Sequence, residues 1–273
     1  MRGKTCKIFF LSGVPKVVIT FFLLLSGAGL LQAADTEAPV LVAAASNLSH
    51  ALDAIIADYQ AGTDARVQVS YGSSGNLTQQ ILQGAPFQVF LPADRKSLER
   101  LHEKSHPIIA STVMAHGRIG FFVPKGSSFA GLNQKSMVYA LQNGKYRRLA
   151  LANPETAPYG VAAMEALQKA GVWVLEEGKL LLGESVAQAM QFALSGGVDL
   201  GVIPLSYARL PAVAGKGEFL EIPASWHQPL FQYRVLLVDI APARDFYEYL
   251  SSPAAKGILK AHGYETETVT TAQ

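Results

Sequence analysis

Short apolar runs alternate along the chain with segments whose apolar residues recur at helical spacing. The first run, Val40–Ala45, has the length of a buried strand, and a helical pattern follows it from Leu48 to Tyr59. Further strands are predicted at residues 67–70, 89–91, 118–123, 149–152, 180–182, 200–203 and 233–238. Helical patterns follow most of these runs, and residues 242–262 form a terminal helical region. This alternation predicts the α/β class, with mostly parallel sheets flanked by helices.

No long flexible linker interrupts the alternating elements, so we predict two lobes that share the chain. One lobe is predicted from residues 38–118 and 235–266, and the other from residues 119–234, with two crossing strands as the hinge. Residues 267–273, which are rich in Thr, are predicted to fray. In sheets of this kind, ligands bind at the carboxyl ends of the strands, where helices begin.

Residues 1–33 are predicted to be a signal peptide that lies outside the fold. The segment carries four basic residues and no acidic one, has a long apolar run over residues 17–31, and ends at Ala33, which suits cleavage. An uncleaved membrane anchor is the alternative. Removing the segment takes away the only cysteine, Cys6, and leaves 19 of the 23 basic residues against 21 acidic ones, a net charge of −2. These features predict a periplasmic protein without disulfides and do not favour nucleic acid as a partner.

Four helix starts carry the residues that indicate a ligand site. Ser46 follows the first strand, Ser73 and Ser74 follow the second, and Tyr159 and Val186 open two later helices. Helix starts offer free backbone N–H groups and the positive end of the helix dipole, and none of these turns carries Arg or Lys. They therefore suit a small anion held by neutral donors. Ordinary helix capping, with Ser46 and either Ser73 or Ser74 as N-caps, is the alternative for each Ser taken alone.

Two motifs point to other classes of protein. The segment His102-Glu103-Lys104-Ser105-His106 matches H-E-x-x-H, a zinc-protease motif that needs both His on one helical face. Pro107 biases His106 away from helix, which weakens this reading. The segment Gly72-Ser73-Ser74-Gly75 differs by one residue from the serine-hydrolase motif G-x-S-x-G, and no His is an obvious base for Ser74. A zinc protein and a serine hydrolase that uses Ser74 are therefore minor alternatives.

Three segments carry a family resemblance: A-A-A-S-N-L at residues 43–48, Y-G-S-S-G-N-L at residues 71–77 and Q-G-A-P at residues 83–86. Matches at residues 153–160, 165–169, 185–186 and 246–250 extend it over nearly all of the mature chain. Together these segments resemble the periplasmic molybdate-binding proteins of ABC transporters. The resemblance implies a type II periplasmic-binding-protein fold whose two lobes close on molybdate or tungstate. It also implies a monomeric binding protein, not an enzyme, with no cofactor and with the membrane permease of the transporter as its partner.

Carried over by position, the resemblance implies ligand contacts from five residues. They are the Ser46 hydroxyl with a backbone N–H at Ser46 or Asn47, the Ser74 hydroxyl and N–H, and the N–H groups of Tyr159 and Val186. Some family members place a Tyr hydroxyl where this chain has Pro204, and others use the Asn after the first Ser. The resemblance therefore implies the Asn variant, with Pro204 not a ligand and Tyr207 as a distant reserve donor.

A site built only from donors favours a doubly charged, fully deprotonated oxyanion over phosphate, whose proton needs an acceptor. Each helix start contributes roughly half a unit of positive charge. Another tetrahedral oxyanion such as sulfate is the nearest alternative ligand, because discrimination against it rests on cavity size. Closure of the lobes over the ligand is expected to form the surface that the permease recognises.

Overall fold

The computed structural model describes residues 38–173 and 178–266. The predicted signal peptide, residues 1–33, and the predicted frayed tail, residues 267–273, lie outside the described residues. In the described part of the chain, no helix is both long and apolar enough to cross a membrane.

The described residues contain two five-stranded sheets. In chain order the strands are β1 (Val40–Ala45), β2 (Val67–Gly72), β3 (Val89–Leu91), β4 (Ala110–Gly117), β5 (Ile119–Pro124), β6 (Leu149–Ala152), β7 (Leu180–Gly183), β8 (Leu200–Pro204), β9 (Gly217–Glu221) and β10 (Leu230–Leu236). The first sheet has the order β2-β1-β3-β10-β4, and the second has the order β7-β6-β8-β5-β9.

One strand in each sheet runs against the other four. In the first sheet, β1 is parallel to β2 and β3, whereas β10 is antiparallel to both β3 and β4. In the second sheet, β6 is parallel to β7 and β8, whereas β5 is antiparallel to both β8 and β9. The predicted mostly parallel sheets are therefore confirmed, and the reversed strands are β10 and β5.

Helices flank both sheets. In chain order they are α1 (Ser49–Ala61), α2 (Ser74–Leu82), α3 (Lys96–Glu103), α4 (Gln134–Gln142), α5 (Pro158–Lys169), α6 (Val186–Leu194), α7 (Leu205–Ala208), α8 (Pro211–Ala214), α9 (Ala241–Tyr249) and α10 (Pro253–Ala261). Two 3₁₀ turns, Ser46–Leu48 and Ala224–Trp226, complete the list. The predicted terminal helical region is divided in two, because Pro253 starts a new helix whose N-cap is Ser252.

The sequence pattern did not predict two of the strands, β4 and β9. Each lies at the edge of its sheet. Both strands mix exposed and buried residues without regular alternation, whereas β2, also an edge strand, alternates and was predicted. Their absence from the prediction follows from this weak pattern.

The chain crosses between the sheets twice. It passes from β4 to β5 at Arg118, where the prediction placed the first lobe boundary, and it returns through residues 222–229. The predicted return at residue 235 falls inside β10, which pairs in the first sheet from Leu230 onwards, so the sheets place the return earlier. Arg118 forms ion pairs with Glu221 and Glu265, which joins both crossings to the C-terminal segment.

Apolar clusters cover both faces of the first sheet. Residues of α1, α9 and α10 pack on one face, and residues of α2 and α3 pack on the other. This double cover explains why β1 is apolar throughout instead of alternating. A third cluster surrounds the second sheet and includes Ala45, at the end of β1, and Ala93, just after β3. The carboxyl ends of these first-sheet strands therefore pack against the second sheet.

Candidate functional site

The chain leaves β1 through the 3₁₀ turn Ser46–Leu48, whose residues are all buried. The prediction that Ser46 is the N-cap of the first helix is wrong, because α1 begins at Ser49 after Leu48 and has no side-chain cap. The carbonyl of Asn47 explains the extra turn: it accepts hydrogen bonds from Tyr264 Oη at 2.6 Å and Ser206 Oγ at 3.2 Å. These bonds hold the backbone before the helix, and the Ser46 hydroxyl is not used in capping.

Ser74 is fully buried at the start of α2, and its Oγ accepts the N–H of Ala93 at 3.0 Å. Because the oxygen accepts in this bond, the hydroxyl hydrogen of Ser74 stays available to donate. Ser73 occupies the N-cap position, but its side chain makes no capping bond. Its Oγ is buried without a hydrogen-bond partner among the described residues.

Tyr159 is buried in the first turn of α5, directly after Pro158, whose ring favours the helical φ angle. Gly160 lets α5 begin close to the end of β6, and Gly117 leaves room for the Tyr159 phenol. A Cβ on Gly160 would lie 2.3 Å from the carbonyl of Ala152, and a Cβ on Gly117 would lie 2.0 Å from Tyr159 Oη. Burial raises the pKa of Tyr159 well above its ordinary value, so its hydroxyl stays protonated at neutral pH.

Val186 is the first residue of α6 and is buried. The N-cap is Ser185, whose Oγ accepts the N–H of Gln188 at 3.5 Å. The glycine that ends β7, Gly183, allows the helix to begin close to the strand, because a Cβ there would lie 2.6 Å from the nitrogen of Ala189. The Ser185 cap therefore accepts the N–H of Gln188 and not that of Val186, which stays without an acceptor among the described residues.

The backbone N–H groups of the predicted site share one property. Those of Ser46, Asn47, Ser74, Tyr159 and Val186 have no hydrogen-bond acceptor among the residues that the structure describes. The first N–H groups of a helix lack acceptors within that helix and carry the positive end of its dipole. None of the five side chains is charged. The segments therefore present uncharged N–H donors that are not used in hydrogen bonds among the described residues.

Contacts between the two sheets bring these segments together. Asn47 Nδ2, after β1, lies 3.2 Å from Tyr159 Oη, after β6. The N–H of Gly75, in α2, donates to the carbonyl of Thr156 at 3.0 Å. The 3₁₀ turn also packs against α6. The loops after β1 and β2 thus meet the start of α5, and the turn after β1 also contacts α6, an arrangement that can enclose a small anion between the two sheets.

Known proteins share this architecture. The family described as bacterial extracellular solute-binding proteins matches residues 40–265. The molybdate-binding protein ModA of Azotobacter vinelandii is 34% identical over 241 residues, which cover 87% of this chain and 94% of the relative. The solved structure of the periplasmic molybdate-binding protein from Azotobacter vinelandii has a TM-score of 0.75 at 30% identity, over 84% of this chain and 99% of that chain. This chain belongs to the bacterial extracellular solute-binding protein family.

A more distant solved structure has the same fold. The sulfate-binding protein SubI from Mycobacterium tuberculosis H37Rv has a TM-score of 0.71 at 15% identity, over 85% of this chain and 88% of that chain. The predicted periplasmic-binding-protein fold of this solute-binding protein is therefore confirmed.

A buried polar network surrounds Asn47 of this solute-binding protein, and the sequence did not predict it. Gln232 Oε1 accepts from Asn47 Nδ2 at 2.7 Å, and Tyr264 Oη lies 3.0 Å from the same nitrogen. Gln232 belongs to β10, and Tyr264 follows α10. No sequence signal marks Gln232, because its strand also carries Tyr233 and Arg234 and its full burial is visible only in the fold. No sequence signal marks Tyr264 either.

The reserve donor Tyr207 already has a protein acceptor. Its hydroxyl donates to the carbonyl of Ser46, and its Oη lies 3.4 Å from Ser49 Oγ. Burial raises the pKa of Tyr207, so the hydroxyl keeps its hydrogen. Tyr207, in the helix that follows β8, therefore supports the 3₁₀ turn that follows β1. Pro204 ends β8 and has no N–H to offer.

A cavity of about 190 Å³ lies beside the predicted positions. Its lining includes Gly75 and Pro158, which neighbour Ser74 and Tyr159 in sequence, and Ala93, whose N–H binds Ser74. None of the five predicted ligand positions belongs to the lining. The cavity thus lies next to sequence neighbours of the predicted ligand residues, and its lining does not include those residues.

The zinc motif is not assembled on one helix. α3 ends at Glu103, so His106 lies outside the helix that carries His102, as the effect of Pro107 predicted. His106 Nδ1 instead lies 3.0 Å from the carbonyl of Pro107. Within residues 38–173 and 178–266, no group of three His, Cys, Asp or Glu side chains could hold a metal ion.

The hydrolase alternative lacks a base in the described part of the chain. Ser74 Oγ is bonded by the backbone N–H of Ala93, and no described His side chain hydrogen-bonds to it. A serine nucleophile needs an adjacent general base within hydrogen-bond reach.

Proposed function

We propose that this protein is the exported component of an ABC transporter that captures molybdate or tungstate. The observation that carries the proposal is the set of five backbone N–H groups without acceptors among the described residues, on segments that meet between the two sheets. The 34% identity to the molybdate-binding protein ModA supports the choice of anion. Molybdate and tungstate are its ligands, and no cofactor takes part.

Each predicted residue has a role in this proposal. Ser46 and Ser74 donate through their hydroxyl groups and their backbone N–H groups, and the hydroxyl of Ser74 is oriented by its bond from Ala93. Asn47, Tyr159 and Val186 donate through the backbone. The N–H groups at the starts of α2, α5 and α6 add the positive ends of three helix dipoles, which offset the ligand charge.

This donor set discriminates by protonation state. Molybdate is a doubly charged anion without a proton at neutral pH, so every oxygen can accept. Hydrogen phosphate carries a proton that would face another donor, which costs free energy in a desolvated site. Sulfate passes this test and remains the alternative ligand, because only its smaller size distinguishes it.

Isothermal titration calorimetry of the chain without its first 33 residues tests the proposal. We expect molybdate and tungstate to bind at micromolar concentration or below with one site per chain, and phosphate to give no heat. Tight binding of sulfate with none of molybdate would assign the protein to the sulfate alternative. No binding of any of the four anions would refute the proposed function.

The cellular setting follows from the same proposal. The protein acts in the periplasm as a monomer after cleavage near Ala33 and delivers its ligand to the membrane permease of the transporter. It is a binding protein and performs no catalysis. Ester hydrolysis that is lost on Ser74→Ala would favour the serine-hydrolase alternative instead.

A further inference from the structure

We propose that Gln232 is a positioning residue for the oxyanion site, and that Asn47 contacts the ligand through its backbone N–H alone. This inference rests on the proposed function. In this inference the side-chain amide of Asn47 forms hydrogen bonds within the protein, and its backbone N–H donates to the anion. It also gives β10, which carries no predicted ligand contact, a part in binding.

The orientation of Gln232 is fixed by its own strand. Its side chain is fully buried, and its Nε2 donates to the carbonyl of Leu230 at 3.0 Å. This bond leaves Oε1 as the atom that faces Asn47, and Oε1 accepts from Asn47 Nδ2 at 2.7 Å. A reversed Gln232 amide would set its oxygen against the carbonyl of Leu230, an unfavourable contact between two acceptors.

The orientation of Asn47 follows from that of Gln232. Asn47 Nδ2 has two hydrogens and three oxygen neighbours: Gln232 Oε1, Tyr264 Oη at 3.0 Å and Tyr159 Oη at 3.2 Å. Both hydrogens are therefore used within the protein. Reversing the amide would set Asn47 Oδ1 against Gln232 Oε1, and turning Nδ2 toward a ligand would leave a fully buried Gln232 oxygen without a donor.

The backbone of Asn47 is held from the other side. Its carbonyl accepts from Tyr264 Oη and Ser206 Oγ, which come from the C-terminal segment and from α7. Its N–H is then the one polar hydrogen of Asn47 without an acceptor among the described residues. The network thus leaves a single donor of this residue for the anion and holds the peptide that carries it.

A ¹H–¹⁵N correlation spectrum of the wild-type chain, titrated with molybdate, tests the assignment directly. We expect the backbone N–H resonance of Asn47 to move downfield on binding, while its side-chain NH₂ resonances keep their positions. A downfield shift of the side-chain NH₂ with an unmoved backbone N–H would overturn the inference. Absence of any molybdate binding by the wild type would instead refute the proposed function, and this inference with it.

Variants of Gln232 test the positioning role. We expect Gln232→Leu to lower molybdate affinity by about tenfold, because Asn47 loses its nearest acceptor. Gln232→Glu, neutral when buried, keeps both an acceptor and a donor and is expected to bind within about threefold of the wild type. Gln191→Leu, on the exposed side of α6, is the matched control and is expected to bind as the wild type does.

The combination of two changes separates positioning from general stability. If Gln232 acts through Asn47, the double variant Asn47→Ala with Gln232→Leu binds no more weakly than Asn47→Ala alone. Additive losses of molybdate affinity in the double variant would overturn the positioning role. So would a Gln232→Glu variant that binds molybdate as weakly as Gln232→Leu. The spectrum of the wild type decides the assignment of the Asn47 donors even if a variant does not fold.

Discussion

Ser73 and Ser74 are adjacent, buried and chemically identical, yet their surroundings differ. Ser74 Oγ accepts the N–H of Ala93, whereas Ser73 Oγ has no hydrogen-bond partner in the described part of the chain. A bond from a backbone N–H fixes an acceptor and aims the remaining hydrogen away from that N–H. At the scale of single residues, this difference supports the proposal that Ser74, and not Ser73, is the ligand donor.

Ser74→Ala is predicted to weaken molybdate binding by about 1–3 kcal/mol, the range for a hydrogen bond to a charged group. The change removes the donated hydroxyl and also leaves the buried N–H of Ala93 without its acceptor. Calorimetric titration measures the loss of affinity, and urea unfolding without ligand measures the separate loss of stability.

Ser73→Ala is the matched control one residue away. Because the Ser73 hydroxyl is buried without a partner and caps nothing, its removal is expected to leave affinity unchanged and the free energy of unfolding unchanged or raised. A loss of affinity in Ser73→Ala equal to that in Ser74→Ala would move the ligand contact to Ser73.

Gly117 is predicted to be required because of Tyr159. A Cβ at Gly117 would lie 2.0 Å from Tyr159 Oη, so Gly117→Ala must displace the buried phenol. We expect a loss of about 1–3 kcal/mol in unfolding free energy, as for other overpacked sites, with weaker molybdate binding. Thermal and urea unfolding measure the first effect, and calorimetry measures the second.

The double variant Gly117→Ala with Tyr159→Phe tests the cause. Without the phenol oxygen, the next atom of residue 159 lies 3.0 Å from the added Cβ, so part of the lost stability is expected to return. The two changes therefore compensate each other instead of adding. Strictly additive losses would show that the backbone of Gly117, and not the space beside it, is what the fold requires.

At the scale of elements, Asp199 ties the start of β8 to the residues that lead into β6. Its carboxylate accepts from the backbone N–H of Arg147 at 2.5 Å and from the Arg147 side chain at 3.1 Å. Burial acts to raise the pKa of Asp199, but these bonds outweigh it and hold the pKa below its ordinary value. The ionised form is therefore the one that stabilises the fold.

Asp199→Asn is predicted to destabilise the protein by about 1–3 kcal/mol at pH 7. A carboxyl whose pKa is lower in the folded state stabilises above its unfolded pKa, near 4, and loses that contribution as the pH falls through the folded value. Urea unfolding of both proteins at pH 7 and pH 3 measures the difference. A gap between wild type and variant that does not narrow at pH 3 would contradict the assignment.

The sequence predicted most accurately the strands that consist of an uninterrupted run of apolar residues. β1, β3 and β6 were placed at the residues that the structure shows, because continuous apolar runs mark strands covered on both faces. β4 and β9 were missed because they are neither apolar runs nor regularly alternating, whereas the edge strands β2 and β7 were predicted. Tertiary contacts also moved the start of α1, where bonds to the carbonyl of Asn47 insert a 3₁₀ turn before the helix.

The features of the candidate site also divide into those that local sequence patterns predict and those that depend on distant residues. Donors at helix starts are local features, so Ser74, Tyr159 and Val186 could be proposed from turns and apolar runs. The partners of Asn47 could not, because Gln232 and Tyr264 lie 185 and 217 residues away along the chain. Local patterns carry no information on which distant residue a buried amide meets.

At the scale of the whole molecule, the two sheets are joined in two different ways. Covalent crossings run through Arg118 and through residues 222–229, and the ion pairs of Arg118 with Glu221 and Glu265 connect them. Hydrogen bonds between segments that follow the strands form the second connection, among them the bond from Tyr207 in α7 to the carbonyl of Ser46. In a protein that closes by a hinge, the crossings persist on opening and these hydrogen bonds break.

Tyr207→Phe is therefore predicted to favour the open form without harming the fold. In small-angle X-ray scattering, we expect the ligand-free variant to have a larger radius of gyration than the wild type, and saturating molybdate to remove this difference. We also expect the variant to bind molybdate more weakly by about 1 kcal/mol. Tyr249→Phe is the matched control. The Tyr249 hydroxyl donates to Asp58, and this bond joins α9 to α1 beside the first sheet instead of joining the two sheets. Unchanged scattering and affinity in Tyr207→Phe would mean that this bond takes no part in closure. The pKa of Tyr207 is raised by burial, so its ionisation is not expected to weaken binding between pH 7 and 9.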